Sequence, residues 1–385
     1  MAMKATLRVR MRRPDDWHVH FRDDAILRAV APLTARQFGR ALVMPNLVPP
    51  VCTVAQARAY RERILATVRA ADPANSFEPY LALYLTERTS VETVQQAKES
   101  GFVLAFKWYP AGATTNAEQG VRSIERLNAV LAAMETLGVV LCVHGESTDP
   151  AVDVYDREEH FIRHELEPVR KRFPRLRIVV EHVSTAFAAK WVLDNTNGYT
   201  AATVTVQHLL CNRNDLLVGG LKPHLYCLPV LKSEQDRLAI IEAIRQDNRG
   251  CFFLGTDSAP HPRFRKESAC ASAGCFTAIA AMELYAEAFA KAGMLDRLER
   301  FAAENGARFY GLQPSTEYVQ VLNWPEAVRT IPEYVLVDSV AEREPQRTPE
   351  TRTESMLTST TLQPFQAGAR LMWSMERLGI SDADR

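Results

Sequence analysis

The sequence predicts an α/β fold, a (β/α)8 TIM-like barrel, on three observations. Eight short apolar runs recur between Asp15 and His261, the stretches between most of them read as helices, and their C-terminal ends collect an uncommon set of polar residues. Continuous apolar strands that alternate with helices mark a parallel sheet covered by helices. Eight such units in about 250 residues fit a closed barrel. A doubly wound sheet would need a nucleotide-binding loop, and the chain has neither G-x-G-x-x-G nor a P-loop.

The eight strand segments are, in order, "DDWHVHF" from Asp15, "RALVMPN" from Arg40, "FEPYLALYL" from Phe77 and "FVLAFKWYP" from Phe102. "VVLCVHGE" from Val139, "RIVVEHVS" from Arg177, "AATVTVQHLL" from Ala201 and "CFFLGTDSAPH" from Cys251 complete them. Periodicity predicts helices at Val54–Ala71, Ala117–Leu137, Arg157–Arg172, Thr185–Leu193 and Ser233–Gln246. An Ala-rich helix is predicted at about Ala273–Ala292 and a shorter one near Leu295–Glu304. The basic opening "MAMKATLRVRMRRP" has no apolar h-region or cleavage site, so it reads as a surface strand leading into the core, not a targeting segment. One domain is expected over 1–385, interrupted by a polar, proline-bearing insertion at about 341–359.

Composition narrows the function classes. The 46 basic and 46 acidic residues cancel, which argues against a nucleic-acid partner or a polybasic membrane surface. No apolar run approaches the ~20 residues of a membrane helix. Seven cysteines without a C-x-x-C, mostly in apolar runs, read as reduced and buried, as in a cytoplasmic protein.

Function in a barrel gathers at the C-terminal ends of the strands. Those ends carry His18 and His20, then Asn46, Lys107, His144, His182, His208 and Asp257. Only nine residues of 385 are histidine, yet five stand here. In a strand, residues i and i+2 share a face, so His18 and His20 point the same way. With His144, His182 and Asp257 they form a converging metal-ligand set. Each has a plain alternative: a turn histidine at 144, a satisfied core histidine at 182, a helix cap at Asp257. All of these holding at one end of one barrel is a much weaker reading. Lys107 ends a strand buried on both faces, where an ammonium is costly and cannot ligate a cation. It either pairs with a carboxylate or has added carbon dioxide to become an anionic carbamate, able to bridge two metals.

The ordered set "DDWHVHFRD", "MPNLVPP", "FKWYPAGATTN", "VHGE", "EHVST", "LVGGLKPHLYCLP", "GTDSAPHPRFRKESACASAGCF" and "PFQAGA" resembles the dihydroorotases of the amidohydrolase superfamily, in their shorter single-function bacterial form. It runs from Asp15 to about Ala367; the insertion at 341–359 departs from it. The resemblance implies a distorted, amidohydrolase-type barrel with two zinc ions. His18, His20 and Asp257 would hold one, His144 and His182 the other, and N6-carboxylated Lys107 would bridge them together with a hydroxide nucleophile. The implied reaction is the reversible cyclisation of N-carbamoyl-L-aspartate to L-dihydroorotate plus water, in de novo pyrimidine biosynthesis. Asp257 would be its general acid and base. The implied setting is a cytoplasmic homodimer.

The substrate carboxylate calls for cationic and hydrogen-bonding groups. Arg22 shares a face with His20, and a guanidinium suits a carboxylate; the plain alternative is a surface ion pair with Asp23 or Asp24. Asn46 and His261 look like its companions. By resemblance, Pro110–Asn116 is a mobile lid whose Thr114 and Thr115 bond substrate, its plain alternative being an ordinary connection with Thr115 or Asn116 capping a helix. Leu228 and Ala273 would give backbone contacts to the ring. His208 and His224 read as supporting or structural, and His160 and His164 as surface residues. Cyclic amidohydrolases for neutral rings, or a non-catalytic scaffold on the same barrel, are the competing readings. The first need no carboxylate partners, and the second would be expected to have lost ligands.

Overall fold

The computed structural model describes residues 6–337 and 360–378. The first strand, β1 (Leu7–Arg12), lies outside the barrel. Eight strands then form one parallel sheet in sequence order: β2 (Asp15–Val19), β3 (Arg40–Val43), β4 (Glu78–Tyr84), β5 (Val103–Trp108), β6 (Val140–Val143), β7 (Ile178–Val180), β8 (Thr200–Val204) and β9 (Phe252–Leu254). These are the eight apolar runs of the sequence. Nearly all their residues are buried, because a barrel strand faces packed side chains inside and helices outside.

The sheet closes where β9 meets β2. Val19 and Ser258 form a parallel bridge. Asp257 N–H donates to His18 C=O at 2.8 Å, and His20 N–H to Ser258 C=O at 3.0 Å. The Asp16 carboxylate adds two bonds across the seam, from the backbone N–H and the hydroxyl of Thr256 at 2.9 and 2.6 Å. Gly255 is required at this seam, since a Cβ there would meet Thr203 at 2.7 Å and His18 Cβ at 2.9 Å.

Hydroxyl caps start many of the covering helices. Thr53, Ser90, Thr185 and Ser233 each accept a bond from the first helical turn. The helices at Val54–Ala71, Ala186–Asp194 and Glu234–Gln246 match the sequence reading within a residue. Arg157–Arg172 is helical throughout, with a π segment at Ile162–Leu166. Two helices that the sequence reading did not single out, Asp24–Gln37 and Val91–Ser100, also cover the barrel; the first carries an internal proline, Pro32.

Three predicted helices need correction. The one expected at Ala117–Leu137 begins only at Asn128, after a short 3-10 turn at Ile124–Leu127. Residues 110–121 instead fold back on the end of β5. Val121 N–H donates to Tyr109 C=O at 2.9 Å, and a Cβ at Gly120 would lie 2.4 Å from that oxygen. The helix expected at Ala273–Ala292 runs Ala281–Lys291. Before it, backbone groups are spent on neighbouring loops: Gly274 N–H on Tyr226 C=O, and Thr277 and Ala278 N–H on Ser258 Oγ. The one near Leu295–Glu304 starts as a 3-10 turn, passes through a π segment and continues to Phe309.

β1 pairs with Tyr318–Asn323, which pairs with Trp373–Arg377, giving a small antiparallel sheet. The described part of the basic opening is thus a strand over Leu7–Arg12, as expected. The polar insertion expected at 341–359 lies outside the described residues; on either side of it Val335–Val337 pairs with Thr360–Leu362.

Candidate active site

Three candidate ligand atoms at the ends of the two seam strands converge. His18 Nε2 and His20 Nε2 are 3.3 Å apart and lie 3.4 and 3.1 Å from Asp257 Oδ1. All three side chains are buried. Among the described residues they form the one group of three or more His, Cys, Asp or Glu with metal-ligand spacing. The Nδ1 atoms are anchored from behind, His18 on Glu181 at 2.7 Å and His20 on Asn46 at 2.8 Å. An Nδ1–H donated to each oxygen leaves the Nε2 lone pairs aimed at the shared point.

His182 and His144 continue the cluster. The His182 ring is 5.2 Å from that of His18 and 4.8 Å from that of His144. His182 Nδ1 is buried without a partner. His144 Nε2 meets Glu146 at 2.8 Å. Lys107, at the end of β5, is fully buried, and its Nζ has no hydrogen-bond partner.

The electrostatics leave this set ready to bind a cation. Burial pushes His20 down to about 4 and His182 well below the usual histidine range. Burial alone would push Asp257 up, but its close contact with His20 and the nearby His18 and Lys107 reverse it, to about 2. Neutral imidazoles and an ionised carboxylate are the ligand forms that metals need. Burial also drives the Lys107 ammonium toward the neutral amine. An orphaned buried amine and an orphaned buried imidazole beside three ligand atoms fit a bound metal centre, because each otherwise carries an uncompensated desolvation cost.

The backbone is held in uncommon conformations here. Of six non-glycine residues with positive φ among the described residues, four belong to the candidate site: Arg22 (59°), Asn116 (57°), His182 (42°) and Asp257 (45°). Such strain persists where surrounding structure enforces it, typically at functional sites.

The candidate metal-ligand cluster lines a narrow cleft. Arg22, Asn46, Thr114, Thr115, Leu228 and Ala273 line it. Arg22 is not paired with Asp23 or Asp24; Asp23 binds Arg63 instead, at 2.6 Å. Arg22 donates to His261 Nε2 at 2.9 Å, and the same nitrogen lies 3.0 Å from Ala273 C=O. Partial burial and Arg22 push His261 down to about 2, so it is neutral. Asn46 is a bridge: besides His20, it donates to Thr115 C=O at 3.0 Å, while Asn116 donates to Asn46 C=O at 2.9 Å. The 110–116 loop is therefore folded over the cleft; neither Thr115 nor Asn116 caps a helix.

The remaining histidines lie outside the cluster. His208 is buried between Thr205 Oγ1 at 2.7 Å and Pro229 C=O at 3.1 Å, a structural role. His224 meets Glu267 at 3.0 Å. His164 is exposed, as expected, but His160 is half-buried, its ring 4.3 Å from that of His164.

Sequence reasoning missed Glu181, Glu146, Tyr109 and Lys266. Strict alternation forbids Glu181 and His182 from serving one site, and only the left-handed turn at His182 brings both in. The available signal was an acid inside a fully apolar run. Lys266 is buried and donates to Tyr226, Ser272 and Gly274 C=O at 2.8, 2.9 and 2.7 Å, pinning together the two segments that present Leu228 and Ala273. Glu181 also accepts from Thr203 Oγ1 at 2.5 Å. Glu181→Gln is expected to weaken metal affinity about 10- to 100-fold, read by competition against a chromogenic chelator. Unchanged affinity would show that His18 is oriented by other contacts.

Residues 16–321 match the model of the amidohydrolase family. The chain is 59% identical to a dihydroorotase of Aromatoleum aromaticum over 80% of its own length and 88% of that protein's. It is similar to the crystal structure of a dihydroorotase from Campylobacter jejuni, with a TM-score of 0.81, 31% identity and coverage of 98% and 99% of the two chains. It is also similar to a Saccharomyces cerevisiae dihydroorotase in complex with 5-fluoroorotic acid, with a TM-score of 0.81, 27% identity and coverage of 96% and 98%.

Proposed function

This chain belongs to the amidohydrolase family, within it to the dihydroorotases, and on that premise we propose how its residues interconvert N-carbamoyl-L-aspartate and L-dihydroorotate. The observation that carries the substrate assignment is Arg22. It is half-buried beside the ligand cluster, hydrogen-bonded to neutral His261, and forms no ion pair with any described carboxylate. A guanidinium without an internal anion suits a carboxylate brought by the ligand. Asn46 and His261 would complete that subsite. Thr114 and Thr115 would bond the substrate from the folded-over loop, and the backbone of Leu228 and Ala273 would hold the ring.

His18, His20 and Asp257 would hold one zinc ion and His144 and His182 a second, with Lys107 as its carbamate between them. The orphaned amine of Lys107 supports that reading, since the neutral amine is the form that adds carbon dioxide. When bound, zinc supplies a nucleophilic hydroxide at neutral pH and polarises the carbonyl under attack. The protein's own part is proton transfer and positioning. In ring opening, the oxygen of water adds to the ring carbonyl carbon and the carbon–nitrogen bond breaks. Asp257 takes the proton from that water and gives it to the leaving nitrogen. Ring closure runs the same transfers backwards. His20 and His18, held by Asn46 and Glu181, stand against the Asp257 carboxylate that would accept the proton. The setting this reading carries is a homodimer in the cytoplasm; no helix among the described residues is long and apolar enough to cross a membrane.

The test is turnover of L-dihydroorotate by zinc-supplemented protein, followed by ring absorbance, with hydantoin and dihydrouracil in parallel. Fast turnover of dihydroorotate alone is expected. Preference for a neutral ring would overturn the substrate assignment and leave the ligand cluster standing. Metal binding without any turnover would favour a scaffold.

A further inference from the structure

The interior tyrosines account for their hydroxyls with one exception. Tyr60 donates to Arg22 C=O, Tyr84 to Asn116 C=O and Tyr285 to Val204 C=O, while Tyr310 meets Cys142 Sγ. Tyr109 is equally buried, 1% exposed, and its hydroxyl has no partner. A buried hydroxyl left unpaired costs stability that a phenylalanine would not, so its retention needs a reason.

Its location supplies one. Tyr109 lines the active-site cleft. It stands two residues beyond Lys107 on the continuation of β5, and so shares the inward face. Lys107 Nζ lies 5.3 Å from the centre of its ring, and the His144 ring 6.4 Å away. The ring is braced by Tyr84 at 5.0 Å, and its own carbonyl is fixed by Val121 N–H at the base of the folded-over loop. This is a rigid O–H donor in the same cleft as Arg22, beside Lys107 and His144.

We propose that Tyr109 is a catalytic residue of the reaction assigned above, donating its hydroxyl hydrogen to the oxygen of the carbonyl under attack. That oxygen gains negative charge as water adds to the carbonyl carbon, and a preorganised donor gains strength as it does so. No proton is transferred: the hydrogen bond forms as charge builds and relaxes when the carbonyl is restored. The proposal rests on the dihydroorotase reading for its substrate but not for its geometry.

Tyr109→Phe keeps the ring and its packing and removes only the donor. The expected result is a fall in kcat of about 100-fold, with KM changed less than about threefold, as for loss of one oxyanion donor. Zinc content should be unchanged. So should affinity for orotate, a planar ring on which no such charge develops, measured by calorimetry. A kcat within twofold of wild type would overturn the proposal. So would a rise in KM or a loss of orotate binding with kcat preserved, either of which would make Tyr109 a ground-state contact. The comparison is made on whichever cyclic amide the wild type turns over best. Failure of the substrate assignment then shows in the wild type alone, and failure of the Tyr109 proposal in the ratio of variant to wild type.

Discussion

Lys107→Ala is expected to lower kcat/KM by at least about 1,000-fold and to reduce bound zinc below the wild-type content, measured by metal analysis after gel filtration. Two effects combine. The variant loses a group that two ions would share, and with it the negative charge that would help hold both. It also loses the amine whose burial, without any hydrogen bond, is unexplained by the protein alone. The second point separates loss of metal from loss of fold. Truncating a paired core side chain normally destabilises, whereas removing an unpaired buried amine also removes a desolvation cost. Thermal unfolding of the chelator-stripped proteins should therefore show Lys107→Ala close to wild type. Near-normal zinc and turnover in the variant would remove Lys107 from the centre. A collapse of stability in the stripped state would assign it a packing role instead.

Arg22→Met is expected to raise KM for dihydroorotate about 100-fold with kcat reduced less than about tenfold, since a charge-assisted bond to a carboxylate contributes about 1.5–3 kcal/mol. His261 gives the result its shape. Its Nε2 faces both an Arg22 donor and the Ala273 carbonyl, and one nitrogen cannot accept from the first while donating to the second. An arriving carboxylate would draw the Arg22 hydrogens away and free His261 to donate to Ala273 or to the ligand. The methionine variant keeps the stem and loses this exchange. Unchanged KM would exclude Arg22 from substrate binding; equal loss of kcat and kcat/KM would place its contribution in the transition state.

The barrel was legible because its physics is local. Eight apolar runs can each be read from hydrophobicity alone, and all eight form strands. The candidate ligand residues were legible for a related reason: a pair of imidazoles one residue apart and a lysine at the ends of apolar strands are costly to bury without partners, although His208 shows that one such imidazole can be satisfied structurally. The errors lie where backbone hydrogen bonds go to tertiary partners. The helix expected from Ala117 starts at Asn128 because residues 110–121 fold back on the end of β5, and the one expected from Ala273 starts at Ala281 because the backbone before it bonds Tyr226 and Ser258 instead. Glu181 and Tyr109 escaped notice because nothing in a period-2 or period-3.6 pattern reports which buried polar atom finds a partner.

The seam between β9 and β2 has a meaning for folding. Its hydrogen bonds join residues as much as 240 positions apart, Asp16 to Thr256. Ring closure must therefore wait for nearly the whole barrel to be synthesised and ordered, and it bears the loop-closure entropy of that span. His18 and His20 stand on one lip of the seam and Asp257 on the other. Any ion they grip together fastens the lips, and its binding free energy adds directly to the stability of the closed ring. An ion held there would make the proposed reaction centre also the clasp of the fold, and its removal would shorten the lifetime of the protein as well as stop its turnover.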